Sequence, residues 1–107
     1  MSAVAACLPD GATALHAAET FSAFSDPTRL RLLYALSLEE LCVCDLAKVV
    51  DRSVAATSRQ LQMLRRLGLV KYRSAGKLAY YSLGSEWART LVHEAFQVAR
   101  SEKRAAR

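Results

Sequence analysis

Apolar residues recur along the first two thirds of the chain at helical intervals. Leu15, Ala18 and Phe21, with Phe24 closing the stretch, predict an amphipathic helix over residues 12–24. Ser25-Asp26-Pro27 reads as a second helix start, a capping side chain followed by proline at the first helical position. Leu30, Leu33 and Leu36 give that helix its apolar face as far as residue 37. A link, Leu38-Glu39-Glu40, leads to Cys42 and Cys44, and residues 45–50 predict a short helix. After the turn Asp51-Arg52-Ser53, Ser53 caps a longer helix over residues 54–67, which Gly68 ends as a residue able to take positive φ. Val54, Leu61 and Leu64 form the expected buried side of this helix.

The period then changes. Residues 69–73 and 78–82 are β-rich runs flanking Ser74-Ala75-Gly76-Lys77, which predicts a hairpin. Beyond Gly84 a last helix carries Trp87, Leu91, Ala95 and Val98 on one stripe, with Ala88, Val92 and Ala99 beside it. The sum is a mostly α fold with a β-hairpin wing: a winged helix-turn-helix with an additional helix at each end. Residues 1–11 read as a flexible arm carrying Cys7, residues 12–101 as the folded domain and residues 102–107 as a basic tail. A chain of 107 residues has room for one modest core, and 52% apolar residues suffice to fill it.

Charge adds a partner to this picture. Residues 52–77 carry Arg52, Arg59, Arg65, Arg66, Lys71, Arg73 and Lys77 without one acid, and the tail from Arg100 adds +3, so the rest of a +5 chain is net acidic. A basic stripe on an acidic body is the footprint expected for a polyanion. On the 54–67 helix, Arg59, Gln62 and Arg66 line the side opposite the apolar residues, with Ser58 at its edge. In a helix-turn-helix the second helix enters the major groove with its N-terminal half against base edges. Ser58, Arg59 and Gln62 are therefore candidates for base contact, and Arg66, Thr57 and Ser53 for phosphate. Arg73, Ser74 and Lys77 at the hairpin tip suit the DNA backbone or a minor groove.

Cysteines bring the chemistry. Cys42 and Cys44 sit two residues apart at a helix entrance, and Cys7 is the third thiol. On an ideal helix a two-residue step turns ~200°, so two sulfurs meet one ion only where the backbone is still extended. Soft thiolates select soft ions, and such sites want three or four ligands. Cys7 can reach the pair in its own chain or in a partner's. His16 and His93 are single histidines without metal-ligand spacing, and Tyr80 and Tyr81 fit a half-buried strand. No nucleophile with its base, no phosphate-cradling loop and no carboxylate pair is present, so an enzyme is not expected. No basic n-region and apolar h-region precede Cys7 in this sequence, so a lipoprotein is not expected. With free thiols and no apolar run near ~20 residues, the expected location is the cytoplasm.

Three segments carry a resemblance. Phe24-Ser25-Asp26-Pro27-Thr28-Arg29-Leu30-Arg31-Leu32-Leu33, Glu40-Leu41-Cys42-Val43-Cys44-Asp45-Leu46-Ala47 and the wing end Tyr81-Ser82-Leu83-Gly84 resemble the ArsR/SmtB metal-sensing repressors. The resemblance implies a homodimer joined through its first and last helices, an inverted-repeat operator, and release of DNA on metal binding. It implies a thiolate site of Cys42, Cys44 and Cys7 for cadmium or lead, with trivalent arsenic or antimony as further inducers. The arsenic branch has a third cysteine where this chain has Ala47, whereas in the cadmium/lead branch an N-terminal cysteine of the other subunit completes the shell. The family's zinc positions on the last helix read Ser85, Trp87, Val98 and Ser101 here, so zinc is expected to be a poor inducer. Two other readings stand beside this one. The thiols could form a redox or persulfide switch, separable by titrating metal against peroxide. The chain could instead buffer metal without binding DNA, which absent or salt-insensitive DNA binding would reveal.

Overall fold

The computed structural model describes residues 2–105. Its elements run α1 (Ser2–Cys7), α2 (Gly11–Ala23), α3 (Pro27–Leu38), β1 (Leu41–Cys42), α4 (Val43–Val50), α5 (Val54–Arg66), β2 (Val70–Ala75), β3 (Leu78–Leu83) and α6 (Glu86–Ala105). The caps sit where the sequence places them. The Asp26 carboxylate accepts from Arg29 N at 3.0 Å ahead of Pro27, and Ser53 Oγ accepts from Ala56 N at 3.0 Å. The Asp10 carboxylate caps α2 in the same way, accepting from Thr13 N at 2.7 Å.

The core gathers Leu32, Leu33 and Leu36 of α3, Leu46 and Val50 of α4, Leu61 and Leu64 of α5, Leu69, and Ala88 and Val92 of α6. The antiparallel sheet has the order β1-β3-β2. Its hairpin closes on a two-residue turn at Gly76 and Lys77, with Gly76 at φ 63°. Gly68 takes φ 77°, and Gly84 packs so close to it that a Cβ at residue 84 would collide with the Gly68 carbonyl. These two glycines let the chain enter and leave the wing at one point.

Several local expectations change. The arm is not irregular throughout, since Ser2–Cys7 form one and a half turns of helix. The short helix begins at Val43 rather than Asp45, because Cys42 and Leu41 are drawn into β1 beside Tyr80 and Tyr81. Val54, expected among the buried residues, is 47% exposed as the first residue of α5. The final helix continues through Ala105, so the described part of the basic tail is helical; residues 106 and 107 lie outside the described residues. On α6 the core takes Ala88 and Val92, while Trp87 and Val98 remain exposed.

Candidate nucleic-acid interface and thiolate site

The reading surface is built on α5. Thr57, Leu61 and Leu64 turn into the core, which leaves Arg59, Gln62 and Arg66 exposed on the other side and Ser58 half-buried at the edge. Ser53 is exposed, its hydroxyl engaged in capping. Thr57 corrects an expectation: it is 1% exposed, and its hydroxyl is shut inside the protein rather than offered to a phosphate. By sequence it is a candidate for phosphate as a hydroxyl near the start of the helix; the packing of α5 on its neighbours covers it.

Two cations outside the expected set for DNA flank the wing. Arg65 lies with its guanidinium 3.9 Å from the centre of the Tyr72 ring, joining α5 to β2. Lys71 shares a recess with Glu40, Tyr72, Arg73 and Ser82. The basic stripe was the sequence signal for both, although only the fold shows which aromatic ring Arg65 meets. Arg73 itself is engaged: its Nη2 donates to Glu40 Oε1 at 2.8 Å, and its Nε donates to both carboxylate oxygens, at 3.2 and 3.0 Å. Those bonds from Arg73 hold the Glu40 carboxyl below its ordinary value; slight desolvation opposes them, and the charges of Arg73 and Lys71 add to them. The same contacts raise Arg73. Ser74 and Lys77, near and in the turn, are exposed.

The thiols divide by burial. Cys42 ends β1, serves as the extended N-cap of α4 at φ −77° and ψ 160°, and is buried at 7% exposure. Cys44 lies in the first turn of α4 and is exposed. The helix entrance is thus where the spacing requires it, with the backbone extended at Cys42 and helical by Val43. Cys7, at the end of α1, is exposed. Among the described residues of a single chain, no three His, Cys, Asp or Glu side chains gather into a metal-sized cluster, so Cys7 is not brought to the pair. The donor set suits a soft ion, with two thiols two residues apart at the positive end of a helix, but one chain supplies only part of a shell.

The model for bacterial regulatory proteins of the arsR family matches residues 26–72, from the α3 cap to the wing. A cadmium resistance transcriptional regulatory protein CadC homolog of Staphylococcus aureus is 49% identical over 83 residues, covering 77% of this chain and 69% of that protein. This chain belongs to the ArsR family. A transcriptional repressor SmtB homolog of Synechocystis is 52% identical over 77 residues, 72% of this chain and 58% of the relative. Among solved structures, a homodimeric winged helix-turn-helix DNA-binding domain from Mycobacterium bovis superposes with a TM-score of 0.78 at 28% identity, covering 91% of this chain and 92% of that one.

Like its ArsR relatives, the chain is a winged-helix transcription regulator and not an enzyme. Its likeness to the cadmium-resistance proteins supports a place in the CadC-like branch. At the positions of the expected zinc site of this ArsR protein, Trp87 and Val98 of α6 are half-exposed apolar residues, and the hydroxyl of Ser85, just before α6, is buried without a hydrogen-bond partner. His93 is structural. Its Nε2 lies 2.7 Å from Ser37 Oγ, and its ring stacks on Tyr34 with centroids 4.9 Å apart. His16 is an exposed residue of α2. No helix among the described residues is long and apolar enough to cross a membrane.

Proposed function

We propose that the protein is a homodimeric cytoplasmic repressor that holds inverted-repeat operator DNA and releases it when a soft metal ion, cadmium or lead or else trivalent arsenic or antimony, is taken up by thiolates. The observation that carries this reading is the position of Cys42 and Cys44 at the N-terminus of α4, whose inner face, Leu46, Ala47 and Val50, is buried toward α5. The relatives named for cadmium resistance and for arsenical resistance support the inducer class.

Cys42 and Cys44 would hold the ion, with Cys7 of the same or a partner chain as third ligand. The ion supplies a positive centre that favours three thiolates gathered together over three separate thiols. The chain's own part is mechanical. Cys42 is seated in β1 beside Tyr80 and Cys44 projects from α4, so drawing the two sulfurs toward a common point turns the first turn of α4. Because α4 is packed on α5 through Leu46 and Val50, that turn shifts the helix carrying Arg59 and Gln62. A coupling of only ~1–3 kcal/mol changes operator affinity about 5–150-fold. Exposed Leu15 and Phe21 on α2, with Trp87 and Val98 on α6, form apolar surface suited to a second copy.

The test is release of a fluorescent promoter duplex on cadmium addition, alongside ultraviolet titration of thiolate-to-metal charge transfer. Cys42→Ser and Cys44→Ser are expected to bind DNA as wild type does and to lose release, and Cys7→Ser to weaken the ultraviolet band. A Cys42→Ser protein that still responds to cadmium sinks the mechanism.

A further inference from the structure

In the sheet, Tyr80 of the central strand is in register with Cys42 on one side and with Arg73 on the other. Cys42, Tyr80 and Arg73 therefore form one row and project to the same face. Glu40, two residues before Cys42, shares that side, and its carboxylate crosses the central strand to Arg73. The Arg73 guanidinium, 5.0 Å from the centre of the Tyr80 ring, is bracketed between ring and carboxylate. Lys71 adds a second cation to the same recess.

A guanidinium presents its paired donors to a carboxylate and to a phosphate in the same planar geometry. Both oxygens of Glu40 fill that fork, and both partners remain open to solvent, at 59% and 36% side-chain exposure. The pair is thus not a buried structural bridge. It is an accessible cation on the strand that leads into the hairpin turn, already holding an anion.

We infer that Glu40 is an internal competitor for DNA: its carboxylate occupies the Arg73 fork in place of a backbone phosphate, so the wing binds DNA at full strength only when Glu40 gives way. This rests on the reading of the protein as an operator binder, and it makes the residue two before Cys42 a determinant of DNA affinity. The position of the carboxylate is set by β1, the strand that ends at Cys42.

The experiment uses metal-free full-length protein, titrated into a fluorescent mixed-sequence duplex and a promoter duplex at several salt concentrations. The variants are E40Q, E40A, R73Q and E40Q/R73Q, each checked for a wild-type circular dichroism spectrum at the assay temperature. Since exposed pairs of this kind are weak, E40Q and E40A should tighten both duplexes about 2- to 5-fold and steepen the salt dependence by about one counterion. R73Q should weaken binding, and E40Q should add nothing in its background. Unchanged or weaker binding by both Glu40 variants overturns the inference. An equal gain from E40Q with and without Arg73 also overturns it, since that is a bulk charge effect. Cadmium added to the wild-type complex reads the repressor mechanism separately: no release, with E40Q still tighter, defeats that mechanism and leaves the competition standing.

Discussion

Arg65 stands over the face of Tyr72, its guanidinium 3.9 Å from the ring centre, and so bridges α5 and the wing. Tyr72 in turn lies 5.8 Å from the Tyr81 ring, which is buried in the core. Cation–π contacts at exposed sites contribute about 0.5–1 kcal/mol. Tyr72→Ala is therefore expected to cost operator affinity roughly 2- to 5-fold and to lower the melting temperature by a few degrees. Anisotropy titration and circular dichroism check the two halves of this statement, and a loss of stability without loss of affinity refutes it.

Arg59 and Lys77 should fail in different ways. Arg59, exposed in the N-terminal half of α5, is proposed to meet base edges, so Arg59→Ala should lose about 1–3 kcal/mol of discrimination between operator and scrambled duplex. Lys77 sits in the hairpin turn, and Lys77→Gln should weaken both duplexes equally and lower the salt slope by about one unit. Competition titrations at several salt concentrations separate the two patterns.

Gly84 meets the backbone, not a side chain that can move aside. A methyl group there strikes the Gly68 carbonyl. Gly84→Ala should destabilise the fold by about 1–3 kcal/mol, the usual range for overpacking, read as a lower urea midpoint with unchanged slope. Wild-type stability in that variant would show that the wing root can relax.

Ser37 ties the end of α3 to α6. Its hydroxyl donates to the Tyr34 carbonyl at 2.6 Å and lies 2.7 Å from His93 Nε2, while Arg89 donates to its carbonyl. Ser37→Ala leaves the imidazole nitrogen without its partner and should cost roughly 1 kcal/mol. Chemical denaturation measures this directly.

Acid should remove one contribution selectively. Glu40 has a folded carboxyl below its ordinary value of 4.5, so the pair it makes with Arg73 stabilises the protein above that pH and is lost as pH falls through the lower folded value. The melting difference between wild type and E40Q should hold from neutrality to about pH 5 and vanish in stronger acid. A difference that grows on acidification contradicts the assignment.

Local signals proved legible in proportion to how local their physics is. Asp26 before Pro27, Ser53 before α5 and Gly68 after it act through neighbours within a turn, and each helix start or stop lies where those residues put it. The stripe of Arg59, Gln62 and Arg66 follows from spacing and survives folding unchanged. β1 was invisible because two residues carry no period, and their pairing depends on Tyr80 and Tyr81 far along the chain. Thr57 and Val54 traded places for a similar reason. Threonine at the fourth position of α5 is covered, whereas valine at the first has nothing above it.

The sequence by itself determined the order of helices and hairpin, the basic reading face and the paired thiols at a helix mouth, since each rests on periodicity, capping or adjacency along the chain. Tertiary structure decided what those parts touch. It buried Cys42 while exposing Cys44, closed Glu40 on Arg73 across the sheet and set Arg65 on Tyr72. It also sent Ala88 and Val92 of α6 inward and left Trp87 and Val98 outside. A hydrophobic period marks which residues seek cover, but only packing in three dimensions says which of them find it within their own chain.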